Sequence, residues 1–321
     1  MKSLPVDNLG FVEIGGVGEM IYKAVRFPSY QLDSDDRGDY IKPSFIPILD
    51  VLTPKYGTDY GLTGQELLAN LCNLYAELNH PDCEMPVNLG IYGWCRENVH
   101  PYDMDELIES LETMYSGDVA SLGMYDIITK DALFYIDDFV KDLCALGTVF
   151  EYYFALEQVR KGNVVAGREL YYEGRMCDSL PLLEKYRNCR DDEYLEQVNA
   201  DYDYLIGCIL DMIPEFKMRL KQDKETGTIM FGADTKSIFD ISWYAFARMV
   251  ADVAPLADED LNYMQSASSI LTCISCGKYF VRHSSRQIYC SRPECQAERN
   301  KRKSKAYYNR KKNGGHGNGA S

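Results

Sequence analysis

Cys273-Ile274-Ser275-Cys276-Gly277-Lys278-Tyr279-Phe280-Val281, followed by Gln287-Ile288-Tyr289-Cys290-Ser291-Arg292-Pro293-Glu294-Cys295, is the stretch from which the rest of the chain is best read. Its cysteines form C-x2-C and C-x4-C pairs with 13 residues between them. Zn2+ takes four soft or borderline ligands at tetrahedral corners, and a two-residue gap lets two thiolates from one tight turn face the same ion. Gly277 suits the left-handed backbone that such a knuckle needs. Residues 278–281 read as a strand, 283–286 as a turn and 287–289 as the returning strand. Cys290 and Cys295 then stand at the end of that hairpin and the start of a helix, a treble-clef-like layout. Phe280 and Tyr289, with Tyr279 or Ile288, would form a core too small to fold without the metal.

Cys273, Cys276, Cys290 and Cys295 are therefore expected to bind structural Zn2+, with no coordination position left open for catalysis. A redox pair at Cys273 and Cys276 is the alternative, and the second pair and the lack of a βαβ context weigh against it. His283 falls in the expected turn, where a solvent-exposed side chain fits better than a ligand.

Residues 296–312 contain no Gly or Pro and read as a helix that stops at Asn313-Gly314-Gly315. It carries Arg299, Lys301, Arg302, Lys303, Lys305, Arg310, Lys311 and Lys312, the candidate phosphate contacts. Arg299, Arg302, Lys303 and Arg310 share a side, interrupted by Tyr307. Residues 314–321 are expected to be disordered. From Cys273 onward, 12 basic residues oppose only Glu294 and Glu298, giving +10; the preceding 272 residues hold 22 basic and 47 acidic residues, giving -25. The overall charge of -15 thus averages two opposite objects. Evenly spread, such acidity would repel a phosphate backbone, but a concentrated basic tail attracts one. The abrupt change of sign marks a domain boundary, with 269–313 as the finger and its helix.

Upstream lies an acidic region, 1–268, expected to be mainly α with minor β. Within it, 1–60 reads as a subregion of strands and loops, from runs such as Phe11-Val12-Glu13-Ile14 and Lys42-Pro43-Ser44-Phe45. Gly15, Gly16 and Gly18 fail the dinucleotide spacing and read as a turn. Thr63 and Glu66 form a capping-box pattern ahead of Leu67, Leu71, Leu74 and Leu78, and Asp103 with Glu106 starts a similar helix. Further helices are expected over 131–161, 195–222 and 235–254, the last capped by Asp234. Residues 86–94 and 226–232 read as short strands. Most of the 25 tyrosines lie in this region and are expected to pack its core.

No catalytic constellation stands out in the acidic region. His80 and His100 are its two histidines, and Cys72, His80 and Cys83 match no common metal spacing. Its seven cysteines are irregularly spaced, as in reduced proteins. No apolar run approaches the ~18 residues of a membrane span, and the first residues lack a signal-peptide core. The expectation is a soluble cytoplasmic protein with no membrane partner.

The tail resembles the CGNR-type zinc fingers of bacterial transcription regulators. Cys273, Cys276-Gly277-Lys278-Tyr279-Phe280, Tyr289-Cys290-Ser291, Cys295 and Arg299-Asn300-Lys301 match in order, over about 40 residues, the size of one small module. It is similar too to the C-terminal knuckles of bacterial families of unknown function with helical N-terminal regions. The sequence departs from the pattern in two respects: Cys273 and Cys276 are separated by two residues where those fingers often have more, and Gln296-Ala297-Glu298 stands where Gly-Asn-Arg would follow the last cysteine. The resemblance implies DNA binding in transcription regulation, with the upstream region as a sensing or interaction domain. The alternative is a protein-interaction module with a purely structural finger, its basic helix docking on an acidic surface of a partner or of residues 1–272. An enzyme that uses the finger for targeting is the third reading.

Overall fold

The structure, a computed structural model, describes residues 10–17, 20–27, 29–44, 62–102, 130, 132–165, 190–222, 227, 229–252, 270–284 and 286–314. The chain divides into two compact units, Met1–Asp252 and Val253–Ser321. The division falls ahead of the expected boundary at 268, and residues 253–269 lie outside the described ones.

The first unit is mainly helical with small sheets. Strands β1 (Gly10–Val17) and β2 (Met20–Arg26) pair antiparallel, and β5 (Leu62–Thr63) lies parallel to β1. Gly15 and Gly16 therefore sit in a strand, not the expected turn. The register shifts between Ile14 and Val17, and an extra residue in a ladder is where glycine is favoured. Strands β3 (Tyr30–Asp35) and β4 (Gly38–Pro43) form a hairpin, joined on its other edge by β6 (Phe134–Tyr135). Gly38 closes the turn with φ of 136°, and the Arg37 N–H donates to Asp35 Oδ1.

Helix α1 (Gly64–Leu78) starts as its sequence dictates. The Glu66 N–H donates to Thr63 Oγ1 at 3.1 Å and the Thr63 N–H donates to Glu66 Oε2 at 2.8 Å, a complete capping box. Leu67, Leu68, Leu71 and Leu74 are buried. Helix α2 (Val87–Glu97) replaces the strand expected over 86–94. Its buried residues are Gly90, Ile91, Trp94 and Cys95, a stripe of helical period, so packing overrides the local glycines and Val87. A Cβ on Gly90 would come within 2.6 Å of a Leu78 δ-methyl of α1, so a larger residue there would make that side chain move.

Helix α3 (Ile136–Arg160) is the central element, with α1, α4 (Asp191–Ala200), α5 (Tyr202–Met212) and α6 (Ile238–Asp252) packed on it. Gly147 lies in its middle despite the helix-propensity cost of about 1 kcal/mol because a Cβ there would overlap the Tyr75 ring. The hydroxyls of Tyr75 and Thr148 then lie 2.9 Å apart. An aromatic cluster fills the core: Phe139 meets Phe239 edge-on at 5.1 Å and Trp94 at 5.8 Å. Tyr30, Tyr75, Tyr152, Tyr153 and Tyr194 are buried, in keeping with the expected packing role of the tyrosines.

Two further expectations change. The single helix expected over 195–222 is two, α4 and α5, the second ending at Met212, and residues 218–222 form β7 (Met218–Gln222), paired antiparallel with β8 (Ile229–Ala233). Pro214 cannot supply a backbone N–H to continue the helix. The cap of α6 is Ser237 and not Asp234: the Asp240 N–H donates to Ser237 Oγ, and the Ser237 N–H to Asp240 Oδ2. The helix expected from Asp103 lies outside the described residues. Among the described residues, no helix is long and apolar enough to cross a membrane.

Candidate metal centre

The second unit begins, in its described part, with β9 (Ile270–Thr272) running antiparallel to β10 (Tyr279–Val281), register Thr272↔Tyr279 to Ile270↔Val281. The knuckle connects these two strands. Cys273 donates its N–H to the Lys278 carbonyl at 2.9 Å, and Gly277 donates to the Cys273 carbonyl at 2.9 Å. Gly277 has φ of 72°, the left-handed conformation expected of it. The hairpin is thus one strand earlier than the sequence suggests. Residues 287–289 form no strand and return beside the knuckle through one backbone bond, Ile274 N–H to the Ile288 carbonyl at 3.2 Å. Among the described residues β10, three residues long, pairs with β9 alone.

Helix α7 (Pro293–Gly314) follows with Pro293 at its start, where a missing N–H costs nothing. Cys295 lies in its first turn. The Gln296 side chain donates Nε2–H to the Cys290 carbonyl at 2.6 Å, tying the helix to the second cysteine pair. Cys273, Phe280, Tyr289, Cys290 and Cys295 form one buried cluster, with Leu271 packed against it. Phe280 and Tyr289 are as expected. Leu271 takes the place proposed for Tyr279 or Ile288, because β9 supplies the facing strand.

The Sγ atoms of Cys273, Cys276, Cys290 and Cys295 all lie within 4.8 Å of one another, and those of Cys276 and Cys290 are 3.8 Å apart. Metal–thiolate bonds of ~2.3 Å in a tetrahedron place sulfurs about 3.8 Å from each other, so the donor set fits a tetrahedrally bound metal ion. The spacing is too long for a disulfide, whose sulfurs lie ~2.05 Å apart. All four are free thiols, Cys276 the most exposed.

The surroundings prepare unequal thiols. Burial would raise Cys273, but N–H groups of Cys290, Ser275 and Cys276 outweigh it and bring the thiol down to about 6. The Cys290 N–H stands 3.3 Å from Cys273 Sγ. Cys295 is pushed up to about 12, first by burial and then by the neighbouring sulfurs of Cys290, Cys276 and Cys273. Burial raises Cys290 as well. Three or four thiolates so close together repel one another unless a cation shares them, and the α7 N-terminus adds its partial positive charge.

The candidate phosphate contacts lie on α7. Arg299, Lys301, Arg302, Lys303 and Lys305 are exposed, and the backbone of Arg310, Lys311 and Lys312 continues the same helix. Of the five whose side chains are described, two are engaged within the finger. Arg302 donates Nε–H to Glu298 at 2.9 Å and its guanidinium lies 6.0 Å from the Tyr289 ring centre; Arg299 donates to Gln296 Oε1 at 2.9 Å. His283 is exposed and outside the sulfur cluster, as expected.

In the first unit, His100 is buried among Phe27, Tyr30 and Phe134, with Tyr30 stacked on it at 6.1 Å. Burial pulls its imidazole down to about 3, so it stays neutral as part of the aromatic core. His80 is exposed beside Asp82. The four-cysteine cluster is the grouping of potential metal ligands found among the described residues. Compared with known protein families, curated proteins and solved structures, the chain matches none.

Proposed function

We propose that the protein is a cytoplasmic, zinc-dependent, nucleic-acid-binding regulator, with DNA as its target and the N-terminal unit as a sensing or interaction domain. The observation that carries this reading is the helix that starts on the cysteine cluster: α7 presents Arg299, Lys301, Arg302, Lys303 and Lys305 to solvent beyond Glu298, the last acidic residue of the chain. Zn2+ is the metal of choice because an all-thiolate tetrahedral set suits it and leaves no position for chemistry. The four cysteines would hold it, and it would fix the direction in which α7 leaves the finger. The order of cysteines, aromatics and basic residues shared with CGNR-type fingers supports the same reading. A partner of repeating negative charge matches such a helix better than a single carboxylate would.

A titration of nucleic-acid binding against salt tests the proposal. If all eight basic residues of α7 met phosphates, log K would fall against log salt with a slope of about -7 on a duplex. Absence of binding at low salt, or binding independent of salt, would remove the nucleic-acid role.

The charge of -25 on residues 1–272 favours a second reading, in which α7 docks on an acidic protein surface. In that case deleting 273–321 changes the assembly or stability of the remainder, and nucleic-acid affinity is negligible throughout.

A further inference from the structure

We infer that α7 binds an unpaired stretch of nucleic acid, with Tyr307 and Tyr308 as the rings on which bases stack. The inference rests on the nucleic-acid reading and adds which form of nucleic acid the helix takes. Tyr307 is 61% exposed and Tyr308 69% exposed, and their rings meet edge to face with centres 5.8 Å apart. They lie twelve or more residues beyond Cys295, so the small buried cluster of the finger makes no use of them.

Cations bracket each ring along the helix. Residues three or four apart share a helix face. Lys303 precedes Tyr307 by four positions, and Arg310 and Lys311 follow by three and four; Lys305 precedes Tyr308 by three, and Lys311 and Lys312 follow. No Asp or Glu lies beyond Glu298 to compete for them. Backbone-tracking cations interleaved with exposed aromatics are what single strands require, since every base has a face on which a ring can stack. A duplex hides those faces in its own stack and offers only edges, sugars and phosphates. Against a duplex the lysines would suffice and two exposed rings would gain little.

The test uses the full-length, zinc-loaded protein and labelled oligo(dT), oligo(rU) and a mixed-sequence duplex of matched length at low salt, read by anisotropy. Both single strands should bind more tightly than the duplex and quench tyrosine fluorescence. Tyr307→Leu with Tyr308→Leu should weaken single-strand binding about thirty-fold or more while leaving duplex binding and zinc content unchanged. Tyr307→Phe with Tyr308→Phe should restore it, because the ring and not the hydroxyl stacks. Equal affinity for single strand and duplex, unaltered by the Leu pair, overturns the inference and leaves the nucleic-acid role standing. A protein whose self-association is lost with the Leu pair while single-strand binding persists assigns the rings to a second copy and also overturns it. No binding to any of the three removes the nucleic-acid role and the inference together.

Discussion

The two units reach a fold by different means. In Met1–Asp252, α1, α3 and α6 bury leucines and a run of phenylalanines and tyrosines, several of them wholly excluded from water. In Val253–Ser321, the buried cluster holds Phe280, Tyr289 and three cysteines, with Leu271 beside them. At about 25 cal/mol per Å2, that little apolar surface is small against the ordering of more than 40 residues, and a metal bound by the cysteines would add its binding free energy to folding. One unit keeps its shape by excluding water; the other, with a four-cysteine cluster in place of a large core, would keep its shape by coordination.

The largest expected effect is on the coordinated unit. Chelation, or Cys290→Ser, removes apparent metal-binding free energy on the order of 10 kcal/mol. Amide exchange across β9, β10 and α7 should then become fast while α1 and α3 keep their protection. Loss of protection in both would mean that the units are not independently stabilised.

The next effect is confined to the first unit and depends on pH. His100 is held neutral down to about 3 by burial, while in the unfolded chain it titrates near its ordinary ~6.5. Between those values the unfolded state binds more protons, so stability falls as pH falls. The loss from this group is about 3 kcal/mol by pH 4. His100→Phe should flatten that part of the acid dependence in urea unfolding of the first unit. An unchanged slope would place the acid sensitivity elsewhere.

Smaller effects follow from single contacts. Gly147→Val, which drives a side chain into the Tyr75 ring, should cost about 1–3 kcal/mol, and Thr63→Ala, which opens the α1 capping box, about 1 kcal/mol. Neither should change zinc content. Smallest is a change of slope only: Lys301→Ala should reduce the salt slope of nucleic-acid binding by about 0.7 on a single strand or about 0.9 on a duplex, and Arg302→Ala by less, since Glu298 already engages that guanidinium.

The sequence is most readable where a local pattern satisfies backbone groups by itself. Thr63 and Glu66 mark the start of α1 because their side chains bond each other's backbone, and the cysteine spacing announces the cluster because coordination geometry demands it. It is least readable where tertiary contacts decide. Residues 86–94 look like a strand until Gly90 is seen against Leu78, and 218–222 look like the end of a helix until β8 pairs with them. The finger's hairpin is shifted because β9, whose Ile270 and Leu271 precede the first cysteine, carries no motif of its own. Ser237 with Asp240 was available as a capping pattern and competes with the nearby Asp234. The exposure of Tyr307 and Tyr308, unlike that of the buried tyrosines, follows from their place in α7 twelve or more residues beyond Cys295, past the finger's own buried cluster.

In the proposed function the metal-held cluster organises the basic helix for nucleic acid. This role is tested most directly by titrating zinc into metal-free full-length protein in the presence of a labelled oligonucleotide at low salt. Affinity should rise until one equivalent of zinc is bound and then stay constant, and Cys290→Ser should abolish the rise. Nucleic-acid binding that is the same with and without the metal would contradict it.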